Sequence, residues 1–256
     1  MSYDGDWVKS VTQRGQIKTQ SLEAQLSSNK SELSKGGIRN SLLQLGTHYY
    51  NIGQYGQSLK SLVRARDYCS TPTEMAELCL QVIKVSIALD NFSNVSTYLN
   101  KVEGTKEMDK DNLLAWKLKA CSGLVYLHQG DYSQAANTFL KCKIDISNNF
   151  ADVILPCDIA LYGTLCTLSS LSRHSIRSQL LNNISFNEFL NNNPLLKELA
   201  VDMCTSKYAQ VFKILDELTP LLKADYYLKN HYIKLISDIR SKAISQYFST
   251  FLFLSI

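Results

Sequence analysis

The sequence predicts an all-α fold, a right-handed superhelix of paired helices. Three observations predict it. Pro and Gly are scarce, 4 and 11 in 256 residues, which favours long helices over a turn-rich sheet protein. No segment alternates apolar and polar residues with the period of a strand. One helix–turn–helix cassette also occurs twice: Gly46, Tyr49, Gly53, Tyr55, Ser58 and Leu62 recur in residue type as Gly123, Tyr126, Gly130, Tyr132, Ala135 and Phe139, 77 residues later. A hairpin of about 34 residues is the unit length of a tetratricopeptide-like repeat, and it cannot bury its apolar face without stacked neighbours.

Taken in order, residues 1–16 read as a polar N-terminal segment with Trp7 and Val8 as its large apolar pair, ahead of a helical-repeat domain over 17–227. Ile17–Leu33 has a thin apolar stripe (Ile17, Leu22, Leu26, Leu33), and Gly36-Gly37 supplies the left-handed backbone expected to end it. The first full hairpin places Leu42, Leu45, Gly46 and Tyr49 on one helical face and Leu59, Leu62, Val63 and Ala65 on the returning one. Its turn is Gly53-Gln54-Tyr55; Gly46 should let the helices approach, and Tyr55 should fill the space beside the turn. Thr71-Pro72-Thr73-Glu74 carries a cap, a proline suited to the first helical position and a capping-box glutamate.

Leu78–Leu89 is apolar nearly all round, which marks a helix buried between neighbours. It turns at Asp90-Asn91-Phe92 into a return through Val95, Tyr98, Leu99 and Val102, a degenerate second hairpin. After a polar link, Glu103–Asp111, the third hairpin runs Leu113–Gln129, turns at Gly130-Asp131-Tyr132 and returns through Ala135, Phe139 and Cys142. Asn148-Asn149 reads as a break. Val153–Leu171 is again apolar all round, followed by a turn at Ser172-Arg173-His174, a return over Ile176–Asn183 and a short helix over Phe186–Leu190. Asn193-Pro194 is expected to cap Leu195–Cys204, and Lys207-Tyr208 turns into Val211, Leu215 and Leu218. A long terminal helix follows over 228–248, with Tyr232, Leu235, Ile236, Ile239, Ala243 and Tyr247 on one face. An apolar tail, 249–256, closes the sequence.

Net charge is +4, and only the first 70 residues are mildly basic. A nucleic-acid binder usually shows a dense basic stripe, so that function is disfavoured, with Lys9, Arg14 and Lys18 as the residues that would serve it. There is no membrane-length apolar run and the first nine residues do not read as a signal peptide. Seven cysteines (69, 79, 121, 142, 157, 166, 204) lie at least nine residues apart with no CxxC pair. They read as reduced, mostly buried thiols of a nuclear or cytoplasmic protein.

The chemistry of sites is thin. Cys121, His128 and Cys142 could approach one another, but a metal needs three or four converging ligands, and packed thiols beside a half-buried histidine is the preferred reading. A cysteine nucleophile needs a base and an orienting group, and none of the seven cysteines has a local signature. Asp152 and Asp158 are six apart and do not share a helical face. No phosphate-binding glycine loop occurs. The chain therefore reads as non-enzymatic, with no cofactor, no catalytic residue and no metal site. Candidate partner-binding residues are Arg64, Arg66 and Asp67 at the end of the first hairpin, and Tyr232, Arg240, Tyr247 and Phe248 on the last helix. Asp225-Tyr226-Tyr227 suits either a binding face or packing of the stack.

ARDYC (65–69), LCLQVIKVSIALDNFSNVSTYLNKVE (78–103), DYSQAANTFL (131–140), IALYGTLCTLSSLSR (159–173), SKYAQVFKILDEL (206–218) and HYIKLISDIRSKAISQYFS (231–249) resemble the COP9 signalosome subunit 1 family of PCI-type subunits. The paralogous proteasome-lid family is similar in the last two segments. The resemblance implies a non-catalytic scaffold in a complex that removes the ubiquitin-like modifier Nedd8 from cullins, with the zinc site on a different subunit. Other signalosome subunits and cullin-RING ligases are the implied partners. It also implies a winged-helix module after the helical repeats; the sequence ends within nine residues of Tyr247-Phe248, so the expectation is a chain without that module.

Overall fold

The computed structural model describes residues 4–103, 113–143 and 150–252. Among the described residues every regular element is a helix. The polar link at 104–111, the break at Asn148-Asn149 and the tail's last residues, 253–256, lie outside them. The chain divides into two compact units, residues 1–109 and 110–256.

The first unit holds α1 (Gly5–Ser31), α2 (Lys35–Asn51), α3 (Tyr55–Ala65), a 3₁₀ turn (Arg66–Tyr68), α4 (Pro72–Ala88) and α5 (Phe92–Glu103). The helix expected from Ile17 starts at Gly5 instead. Asp4 Oδ1 accepts from Trp7 N at 3.0 Å, a capped start with Asp6 in the first turn. Its polar sequence is that of a solvated helix, with Leu22 as the buried residue along it. Gly36-Gly37 does not end this helix. Leu33 adopts the left-handed conformation (φ 55°), and Ser34 Oγ caps α2 by accepting from Gly37 N. Gly37 sits inside the first turn of α2, where a Cβ would come within 2.7 Å of Asn29 Oδ1. Asn29 Nδ2 in turn donates to Ser41 Oγ at 2.7 Å, so the glycine serves a close approach of α1 to α2.

Between α2 and α3 the expected seam is present. A Cβ on Gly46 would stand 2.7 Å from Leu62 Cδ2, and Ser58 Oγ donates to the Gly46 carbonyl at 2.7 Å. Val63 is not on the buried face; Ser58, Ser61, Leu62 and Ala65 are, because one residue past Leu62 is a rotation of about 100°. The capping box at Thr71 forms as expected: Thr71 Oγ1 accepts from Glu74 N, and Glu74 Oε2 accepts from Ser70 N and Thr71 N. Arg39 of α2 reaches Glu74 at 2.8 Å.

The second unit holds α6 (Leu113–Gln129), α7 (Tyr132–Phe139), α8 (Pro156–Ser170), α9 (Arg173–Ser175) running into a π-helical segment (Ile176–Leu181), α10 (Ile184–Asn191), α11 (Pro194–Cys204), α12 (Tyr208–Ala224) and α13 (Tyr232–Leu252). Its axis is α8, buried at every residue from Ile159 to Ser169 and packed against α7, α10, α11 and α13. Helix-to-helix approach again uses glycine: a Cβ on Gly123 would meet Phe139 at 2.5 Å, and one on Gly163 would meet Phe186 at 2.7 Å. The C-terminal carbonyls of α8 are satisfied from α13, where Lys242 Nζ donates to Leu168 O and Leu171 O, both at 2.7 Å.

Further boundaries differ from the sequence reading in the second unit, where α8 starts at Pro156 and α13 runs on to Leu252. Asn193 does not cap α11 with its side chain; its Nδ2 donates to Phe189 O of the preceding helix at 3.0 Å. The last helix begins at Tyr232, not Leu228. Asp225 Oδ1 accepts from Tyr227 N and Leu228 N, an Asx-type turn that holds this stretch out of the helix. Asp225 Oδ2 also accepts from Tyr162 Oη at 2.8 Å, and Tyr227 Oη donates to Val153 O at 2.9 Å. Asp225 and Tyr227 therefore pack the core, while Tyr226 is half exposed.

Five helix ends among the described residues share one geometry. Leu33, Gly53, Asp90, Gly130 and Ser206 all have φ between 55° and 77°. In each case the next residue donates its N–H to a carbonyl five positions back: Ser34 to Asn29, Gln54 to Tyr49, Asn91 to Ser86, Asp131 to Tyr126, Lys207 to Asp202. That is the Schellman arrangement, which satisfies the orphan carbonyls of a helix end. Two positions past the left-handed residue stands an aromatic ring in four of the five (Tyr55, Phe92, Tyr132, Tyr208), and five past it a buried residue in all five (Ile38, Ser58, Val95, Ala135, Val211). The cassette seen twice in the sequence thus builds hairpins whose turns carry aspartate or serine as well as glycine.

Candidate protein-interaction surface

The thiols do not resemble nucleophiles. Burial pushes the Cys121 and Cys166 thiols well above the usual range and Cys142 up to about 12, whereas a reactive cysteine needs a lowered value. Cys157 is exposed and donates to Asp158 Oδ1 at 3.6 Å; partial burial, then the Asp158 charge, raise it too. Asp158 is occupied at the start of α8, accepting from Leu155 N at 3.0 Å. Among the described residues no three His, Cys, Asp or Glu side chains converge as metal ligands. Cys121 and Cys142 are fully buried, and His128 is exposed.

The residues singled out as partner-binding fall into separate places. Arg64 is exposed on the last turn of α3. Arg66 and Asp67 pair at 3.5 Å with side chains 49% and 71% exposed, an exposed pair worth on the order of 0–1 kcal/mol. These three lie in the first unit; the other four lie on α13 of the second. Tyr232 opens that helix, roughly 24 Å from Phe248 at 1.5 Å rise per residue, so it does not share a site with Tyr247 and Phe248.

Tyr247 and Phe248 do form a site, with residues the sequence reading left out. They border a groove of about 510 Å³ between the start of α12 and the end of α13, lined also by Ser206, Tyr208, Phe212, Ala243 and Ile244. Tyr208 and Tyr247 meet edge to face at 6.5 Å, and Tyr247 and Phe248 at 5.5 Å. Tyr247, Phe248 and Ile244 are each about half exposed. Arg240 lies beside Phe212, 6.0 Å from the ring centre, and is held by Asp216 at 2.6 Å.

Arg173 stands behind two of the lining residues, Ser206 and Tyr208. Its guanidinium donates to Ser206 Oγ (2.6 Å), Tyr208 Oη (2.8 Å) and Met203 O (3.5 Å). Tyr208 Oη in turn donates to Gln246 Oε1 at 3.3 Å. The spacing Tyr208–Phe212 and Ile244–Phe248, each four apart on facing helices, is the sequence signal that could have found this groove. Arg173 joins it through the left-handed turn at Ser206, and that pairing has no mark in local sequence.

The model of the family described as 26S proteasome subunit RPN7 matches residues 4–179. COP9 signalosome complex subunit 1 of Arabidopsis thaliana is 36% identical over 241 residues, covering 94% of this chain and 54% of the relative. COP9 signalosome complex subunit 1b of Drosophila melanogaster is 33% identical, covering 98% and 49%. The 26S proteasome non-ATPase regulatory subunit 6 of Oryza sativa is more distant, 20% identical over 93% of the chain and 61% of its own length. The chain spans about half the length of the signalosome relatives.

Proposed function

The chain belongs to the family of 26S proteasome subunit RPN7, and from that premise we propose that it serves as the helical-repeat part of a COP9 signalosome subunit 1. The observation that carries this reading is the gap between 36% identity to the signalosome subunit and 20% to the proteasomal one, each over nearly the whole chain. The proposed role is a non-enzymatic scaffold in cullin deneddylation, in nucleus and cytoplasm. Buried, raised thiols and carboxylates used as helix caps support it; paired helices with a half-exposed aromatic groove suit a chain that works by binding.

The test is affinity purification of the tagged chain from cells. Recovery of signalosome subunits, with or without cullins, is the expected result. Recovery of proteasomal ATPases in their place moves the chain to the proteasome lid, and recovery of neither overturns the scaffold reading.

A further inference from the structure

We propose that the α12–α13 groove docks an amphipathic helix from a partner protein, apolar side chains in the groove and a carboxylate against Arg173. This goes beyond membership of any complex and stands without it. The groove itself gives the apolar half of the argument. It is lined by the rings of Tyr208, Phe212, Tyr247 and Phe248 and by the small, fully buried Ala243. A volume of about 510 Å³ is that of a pocket able to enclose a drug-sized ligand, roughly 300–1,000 Å³, and so has room for apolar side chains. Apolar anchors on one helical face are what such a groove accepts.

The charge at one end decides the partner's polarity. Arg173 is satisfied by neutral oxygens: a serine hydroxyl, a tyrosine hydroxyl and a backbone carbonyl. It is solvent-exposed and can accept a carboxylate without giving up a salt bridge. Lys207 stands on the same rim, and its carboxylate partner, Asp202, is 3.5 Å away and buried. Lys207 is also the N-cap of α12, with no side-chain cap and no acidic residue in the first turn, so the positive end of that helix is unanswered. Arg173, free of any carboxylate among the described residues, and Lys207, already paired with Asp202, stand with an uncapped helix start beside the Ser206–Tyr208 part of the groove lining. An acidic residue at the matching end of the incoming helix completes them, and a basic one would be repelled.

The experiment uses the full chain and two fluorescent synthetic helices of the same leucine-faced sequence, one with glutamates and one with lysines at the end aligned with Arg173. Fluorescence anisotropy should show the glutamate peptide binding about fivefold or more tightly, the scale of a rim ion pair. Phe248→Asp and Ile244→Asp should each weaken it by about tenfold or more, as loss of an apolar anchor does. Both side chains are half exposed, so circular dichroism should report an unchanged fold. Arg173→Glu should reverse the preference between the two peptides. Equal binding of both peptides, an unmoved preference in Arg173→Glu, or no binding of either overturns the proposal. So does a self-associated chain, seen by analytical ultracentrifugation, that Phe248→Asp returns to monomer.

Discussion

The hairpins α2–α3 and α6–α7 carry the same cassette and are used differently. Each has a glycine at the crossing, a left-handed glycine with φ 77° at the turn, and a large side chain laid over the first glycine. Beyond that seam they part. The outer face of α2 meets α1 through polar contacts: His48 Nε2 lies 3.0 Å from Thr19 Oγ1 and 3.2 Å from Gly15 O, and Tyr49 Oη donates to Glu23 at 3.2 Å. In α6–α7 the same Phe139 that covers Gly123 also meets Tyr162 of α8 ring to ring at 6.0 Å, both fully buried. A local repeat therefore fixes how two helices of a hairpin cross. Whether the hairpin becomes core is fixed by the face its neighbour presents.

The largest expected effect tests that difference at the crossing glycines. Alanine at either site gains helix propensity, about 1 kcal/mol, and meets overpacking, about 1–3 kcal/mol. At Gly123 the new Cβ would sit 2.5 Å from Phe139 Cε1, and the Phe139 ring is fully buried and packed on Tyr162 at 6.0 Å. At Gly46 it would meet the end of Leu62, an aliphatic side chain that can change rotamer. Gly123→Ala should lower stability by about 2 kcal/mol net and Gly46→Ala by well under 1. Urea unfolding followed by circular dichroism, with Trp116 fluorescence reporting on α6, measures both. Equal losses would mean the two seams are alike and the contrast above is mistaken.

Next in size are the turns. A residue with a Cβ in the left-handed region is strained by about 1–2 kcal/mol, and nothing lies within 4 Å of a Cβ built on Gly53 or Gly130. Gly53→Ala and Gly130→Ala should therefore each destabilise by about 1 kcal/mol, by backbone strain alone. Asp90→Gly and Ser206→Gly relieve that strain but free the unfolded chain, so they should gain at most about 0.5 kcal/mol. Alanine costs that differed sharply between the two hairpins would show that the turn, and not only the outer face, depends on its neighbours.

Much of this architecture was legible in residue order. The glycine-marked hairpins, the Thr71 capping box and the fully apolar α8 follow from spacing and from the known demands of helix ends. What escaped was of two kinds. The left-handed turn at Leu33 carries no glycine and no aromatic two residues on, so it leaves no trace, whereas the turn at Ser206 reads one residue late in the sequence, at Lys207-Tyr208. Start points slipped where a local side chain, Asp4 ahead of α1, or an Asx turn at Asp225 set the boundary. The groove was half legible: Tyr247 and Phe248 stood out as large apolar residues on a helix that was ending. Arg173, thirty-five residues before Tyr208, could be placed only once the turn at Ser206 was folded.

The smallest effect separates the two hairpins by pH. In α2–α3 the aromatic after the turn, Tyr55, packs on Tyr50 at 5.4 Å. In α6–α7 its counterpart, Tyr132, is buried and shares a hydrogen bond with His231 Nδ1 at 3.2 Å. Lys234 of α13 lies over the Tyr132 ring at 5.3 Å. Burial first, then the His128 and Lys234 charges, lower the His231 pKa from its ordinary 6.5. A base whose folded pKa is depressed binds fewer protons folded than unfolded, so its contribution is intact above 6.5 and is lost as pH falls below that value. Urea midpoints of the unit containing Trp116 should therefore decline below pH 6.5, and His231→Gln should flatten that decline while leaving the plateau near neutral pH. An undiminished slope in His231→Gln would move the pH sensitivity to another group and remove the imidazole from what distinguishes the second hairpin.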